Sequence, residues 1–174
     1  MSTVTETFDP TADQTRTFQA RAESTPEKRE ISGVGVPLEE RIQIYPGLYE
    51  EFAQDCAFDD IDRAKLRIDH GTLAGVTASH ERAKGKLNIT VRASKVAARD
   101  EALVLAADGA LDSFSIGFRS LDFEQLDNED GSVTIRHTRV KVREFSLTAT
   151  PYYPNAAVTE VRSTDRQKEN TMGA

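Results

Sequence analysis

Between residues 29 and 162 apolar and polar side chains alternate far more often than they recur at helical spacing. A period of two is the mark of a strand with one buried face. The alternation is cleanest at Lys86 to Arg92, where Leu87, Ile89 and Val91 point one way and Lys86, Asn88, Thr90 and Arg92 the other. The same reading predicts strands at Ile31 to Val36, Arg41 to Tyr45, Lys65 to His70, Leu73 to Ser79 and Ser113 to Phe123. Val133 to Arg139 and Val140 to Ala149 follow as one bent strand, and Ala157 to Val161 as a last short one. Pro46-Gly47 breaks the second strand, Asn128-Glu129-Asp130-Gly131 makes a turn, and Pro151 and Pro154 end the last long run. Leu48 to Gln54 is expected as a short helix. The period changes plainly once, at Lys95 to Asp108, which is rich in Ala and Leu. There Val96, Leu103, Ala107 and Ala110 share a helical stripe, with Ser94 as N-cap and Gly109 as the stop. The sum is a mainly β fold: a mostly antiparallel sheet, closed or partly closed into a barrel, with one or two helices outside it.

The 174 residues fit one domain with spare length at its ends. Residues 1–28, rich in Thr, Ser, Glu, Asp and Gln, read as a flexible arm; 29–162 read as the folded domain and 163–174 as a polar tail. The formal charge is −7 with scattered basic residues, a pattern that argues against a nucleic-acid binder. No apolar run approaches the roughly 20 residues that span a bilayer, and no basic-then-apolar leader opens the chain, so neither membrane nor export is expected. Cys56 is the one cysteine, which rules out an internal disulfide. It sits in Gln-Asp-Cys-Ala-Phe-Asp-Asp, where nearby carboxylates disfavour a thiolate, so it reads as a packed thiol.

Three polar residues stand where pure packing would not put them. His70 continues the apolar face of Leu66 and Ile68; it is either a satisfied core histidine or a base. Ser115 lies between Ser113 and Gly117 on the face opposite Phe114, Ile116 and Phe118. Small neighbours leave a nucleophile uncovered, but they also suit a strand packed against another backbone. Glu144 follows Val140 and Val142 on one face, with Phe145 and Leu147 on the other. It is either an exposed glutamate at a bend or a buried one that needs a partner, which could be an arginine such as Arg143 or an imidazole whose tautomer it would fix. A serine, a histidine and an acid can form a nucleophile, a base and an orienting group. Asp69, His70 and His80 are of metal-ligand type but lack a recognised ligand spacing.

At these residues the chain resembles the prohead protease family of tailed phages. The matching segments are Ile31-Ser32-Gly33-Val34-Gly35, Tyr45-Pro46-Gly47-Leu48-Tyr49, Asp69-His70-Gly71, Ser115-Ile116-Gly117-Phe118, Glu144-Phe145-Ser146-Leu147 and Thr150-Pro151-Tyr152-Tyr153-Pro154-Asn155-Ala156. Their order and spacing agree over most of the chain, although Gly71 stands where members often have Asp. The resemblance implies a serine endopeptidase with Ser115 as nucleophile, His70 as base and Glu144 as acid. Distant similarity to herpesvirus assemblins keeps His137 as the rival third member and implies an assemblin-like barrel. It implies no cofactor and no metal. The implied partners are the phage capsid precursor and scaffold, inside the immature prohead in the bacterial host cytoplasm, with homo-oligomers and self-cleavage of the polar ends both conceivable. A non-catalytic scaffold or capsid-binding barrel is the alternative.

Overall fold

The computed structural model describes residues 8–19, 23–25, 29–95 and 97–149. The expected strand at 157–161, the tail at 163–174 and the Thr150 to Ala156 motif lie outside them. Ten strands form one sheet: β1 (Asp13–Gln19), β2 (Glu23–Thr25), β3 (Glu30–Pro37), β4 (Ile42–Tyr45), β5 (Leu48–Asp59), β6 (Lys65–Ile68), β7 (Thr72–Ala83), β8 (Lys86–Ala93), β9 (Ser113–Asp127) and β10 (Val133–Thr148). A helix, α1 (Ala97–Ala107), links β8 to β9. The order along the sheet is β1-β9-β10-β6-β7-β8-β3-β2. β5 and β6 pair in parallel with successive halves of β10, and β4 flanks β5. The remaining pairings are antiparallel. The sheet curls so that β3 packs against β1 and β9, but no ladder closes it into a barrel among the described residues.

The inner face of the curl carries Phe52, Phe114, Phe118, Phe145, Ile31, Leu66, Leu87, Ile89, Ile116 and Leu147, all essentially inaccessible. Burying each such side chain is worth about 1.5–3 kcal/mol against leaving it exposed, so alternation along β3, β8, β9 and β10 fixes which face turns inward. α1 covers the core with Ala102, Leu103 and Ala106. It ends as expected at Gly109, whose φ of +75° suits the left-handed stop. Ala110 N–H donates to Leu105 O and Gly109 N–H to Ala106 O, which satisfies the carbonyls of the last turn. The helix opens at Ala97, so Ser94 is not its immediate cap; the Ser94 N–H donates to Ala74 O instead.

Two expectations fail on identifiable grounds. Leu48 to Gln54 is not a helix but the first half of β5. Leu48, Glu50 and Phe52 are its buried alternating positions, and a glutamate among them hides the period of two. Pairing with β4 and β10 overrides the helix propensity of Glu and Ala. The stretch 1–28, expected as an arm, contains β1, which runs antiparallel along β9 from Asp13 opposite Arg119 to Gln19 opposite Ser113. Its composition is polar because its ladder is made of backbone bonds, and because its Arg16 reaches a buried carboxylate.

Candidate active site

β10 and β9 set out most of the site. Ser146 lies directly across from Ser115, and Glu144 across from Gly117. Directly opposed residues project to the same side of a sheet, so these four positions share a face. Phe114, Ile116, Phe118, Phe145 and Leu147 fill the core on the other side. The expectation that Val140, Val142 and Glu144 share one face is wrong. Val140 and Val142 are buried in the core, and a register shift between Val142 and Glu144 absorbs Arg143 as an extra residue. The bulge re-aims the chain, so Glu144 leaves the core face and joins Ser146.

β6 supplies the histidine. After Ile68 the chain turns through Asp69 and His70 with φ of 47° and 59°. The turn is pinned to β10 by Asp69 N–H donating to Leu147 O and His70 N–H donating to Ser146 Oγ, each at 3.0 Å. His70 is therefore not on the core face of Leu66. It is partly exposed, and its Nδ1 is hydrogen-bonded to Glu144 Oε1. The second Glu144 oxygen takes the Arg67 guanidinium at 2.9 Å. Arg143, the neighbour first considered for Glu144, pairs with Asp13 of β1. The Arg143 hydrogen bond, with Arg119 adding to it, holds the Asp13 carboxyl below its usual range.

Gly117 has a reason the sequence did not give. A Cβ there would stand 2.6 Å from Glu144 Cγ, so the space beside Gly117 belongs to the Glu144 side chain. Around the pair opens a cleft of about 560 Å³ lined by His70, Glu144, Gly117, Lys65, Arg67 and Arg143, with Asp13, Gln14 and Thr15 of β1 forming part of its wall. Ser115 is fully buried, and its Oγ has no hydrogen-bond partner among the described residues. The imidazole Nε2 of His70 likewise makes no hydrogen bond among them.

His137 lies in a different place. It is completely buried, with Nδ1 2.7 Å from Ser120 Oγ and Nε2 2.8 Å from Glu50 Oε1, between the rings of Phe52 and Phe118. Glu50 in turn binds Arg16 of β1 at 2.6 and 3.2 Å. Burial alone would raise the Glu50 carboxyl, but the His137 and Arg16 interactions outweigh it and hold it below its usual value. His137 is paired across to Phe123, eight residues along β9 from Ser115, or roughly 25 Å of extended strand. Sequence reasoning missed Glu50, Arg16 and Ser120. The signal was a glutamate in phase with Leu48 and Phe52.

Cys56 is buried, and burial, with Asp55 and Asp59 adding and Arg82 opposing, pushes its thiol up to about 12. His80 lies within β7 and forms a surface pair with Asp62 at 3.1 Å, not with Asp69 or His70. No cluster of three or more His, Cys, Asp or Glu suited to a metal occurs among the described residues. No described helix is long and apolar enough to cross a membrane.

The family model described as caudovirus prohead serine protease matches residues 16–171. No curated protein matches the chain in sequence. Among solved structures, the capsid assembly protease gp21 of bacteriophage T4 is similar in fold, with a TM-score of 0.53 over 80% of this chain and 98% of that one, at 9% identity.

Proposed function

The chain belongs to the caudovirus prohead serine protease family, and on that premise we propose that it is a serine endopeptidase of capsid maturation with Ser115 as nucleophile, His70 as base and Glu144 as orienting acid. The observation that carries the reading is the bond between His70 Nδ1 and Glu144, on the same face of the sheet as Ser115. A carboxylate at Nδ1 fixes the imidazole tautomer, leaves Nε2 free as the base, and stabilises the imidazolium that forms. His70 Nε2 takes the Ser115 proton as Oγ attacks a peptide carbonyl, then returns it to the leaving amine, and water releases the acyl-enzyme. Of the cations lining the cleft, Arg67 is paired with Glu144 and Arg143 with Asp13, which leaves Lys65 to face a developing oxyanion. The substrates in this reading are the capsid precursor and scaffold inside the immature prohead, with self-cleavage as an extension. The curled sheet with its flanking helix is taken as a partly closed, assemblin-like barrel, and 29–162 as its core with β1 added.

Burial of Ser115 Oγ sets a condition on this mechanism: the hydroxyl must be uncovered before a substrate can meet it. The same burial is the one observation that favours a second reading, a non-catalytic member that binds capsid or scaffold. Ser120, His137 and Glu50 form another Ser-His-acid chain, but its histidine is wholly buried between Phe52 and Phe118, whereas His70 lines the cleft. Intact-mass spectrometry of particles from cells co-expressing this chain with its capsid and scaffold proteins separates these readings. Discrete shortening of the partners with wild type and Ser120→Ala, and full-length partners with Ser115→Ala, is the expected result. Full-length partners with folded, incorporated wild type would move the assignment to the binding module, and cleavage by Ser115→Ala would place the nucleophile elsewhere.

A further inference from the structure

We propose that Ser146 is a positioning residue of this site, whose hydroxyl braces the backbone of His70 in the left-handed conformation that carries the imidazole to Glu144. The proposal rests on reading His70 as the base. Positive φ is uncommon for residues with a Cβ, and here two in succession, Asp69 and His70, adopt it. Such a turn persists only where its surroundings hold it. Three backbone N–H groups do so. Asp69 N–H reaches Leu147 O and Gly71 N–H reaches Ile68 O, both main-chain carbonyls. The third, from His70 itself, ends on a side chain, Ser146 Oγ at 3.0 Å.

Ser146 is fully buried on the strand that also bears Glu144. With a period of two, Glu144 and Ser146 face the same side. One strand thus holds the histidine at two points, the ring through Glu144 and the main chain through Ser146. Ser146 also lies directly across from Ser115, so the brace ties the turn bearing the base to the strand pair bearing the nucleophile. A small residue chosen only for packing opposite Ser115 could equally be alanine, and that difference makes the role testable.

The test is the rate at which a fluorophosphonate labels Ser115 in the full chain, measured for wild type, Ser146→Ala, Asp69→Gly and the double variant, each with its melting temperature. Glycine adopts positive φ without steric cost, so Asp69→Gly removes part of the strain that the Ser146 bond restrains. Loss of the brace shifts the imidazole, and a displacement of about 1 Å at a reacting group lowers rates up to about a hundredfold. Ser146→Ala is expected to slow labelling about tenfold to a hundredfold at nearly unchanged melting temperature, and to cost only a small part of that in the Asp69→Gly background. Labelling of Ser146→Ala at the wild-type rate, or the same loss in both backgrounds, would overturn the proposal. Should Ser146→Ala fail to fold alone, its recovery by Asp69→Gly supports the brace and continued unfolding overturns it. A wild type that is not labelled at Ser115 even when assembled with its capsid and scaffold proteins would instead defeat the protease reading, so the two failures are distinct.

Discussion

Replacing Gly117 with alanine adds one methyl group at the point where the acid is seated. The new Cβ would lie 2.6 Å from Glu144 Cγ, 3.2 Å from Oε1 and 3.3 Å from Cδ, while ordinary contact begins at 3.4 Å. The side chain must therefore retreat by close to 1 Å, because the strands themselves are locked by Phe118 and Val142 on the buried face. Glu144 can move outward, being 14% exposed, but doing so pulls its carboxylate from His70 and Arg67. A misplacement of about 1 Å costs a rate of about a hundredfold, equivalent to about 2.7 kcal/mol of barrier. The cost in stability should stay at or below about 1 kcal/mol, the low end for overpacking, since the strain is relieved toward solvent. The assay is cleavage of the co-expressed capsid precursor, followed over time by intact mass, with thermal melting as the check on folding. Glu144→Ala provides the control: once the glutamate is gone, Gly117→Ala should have little further effect. Full activity of Gly117→Ala, or an equal loss in the Glu144→Ala background, would show that Gly117 does not serve the acid.

Three other outcomes follow from the buried network and the cysteine. Arg16→Met removes the cation that binds Glu50 and should destabilise the fold by about 3 kcal/mol, or roughly 6–12 °C in melting temperature; a change below 2 °C would mean β1 contributes little to the core. Because the Glu50 carboxyl is held below its usual value by His137 and Arg16, its contribution is complete above the ordinary carboxylate range and is lost as pH falls through the lowered native value. Denaturant midpoints measured on the acid side should therefore drop less steeply for Glu50→Gln than for wild type, and parallel profiles would contradict the assigned direction. Cys56, with its thiol near 12, should resist alkylation by iodoacetamide at pH 8 until the protein unfolds; rapid modification of the native chain would contradict its burial.

What the sequence revealed depended on whether the period of two was visible. Leu87, Ile89 and Val91 stand out because their neighbours are polar, and β8 falls where they place it. β5 was obscured because a buried position holds Glu50, whose burial is tolerable only beside His137 and Arg16, partners distant in the chain. β1 was obscured because an edge strand of Thr, Gln and Arg resembles a polar arm until its partner β9 is known. At the site, residue types were legible but facing was not. The bulge at Arg143 reverses the alternation between Val142 and Glu144, and no local feature announces it. Likewise His70, in phase with Leu66 on paper, leaves that face through a left-handed turn whose braces come from β10.

The most direct test of the central claim is to treat the full chain with a fluorophosphonate and map the adduct by peptide mass spectrometry, in wild type and in His70→Ala. The account predicts a single adduct on Ser115 that all but disappears without His70; an adduct on another serine such as Ser120, or labelling of Ser115 undiminished by loss of His70, would contradict it.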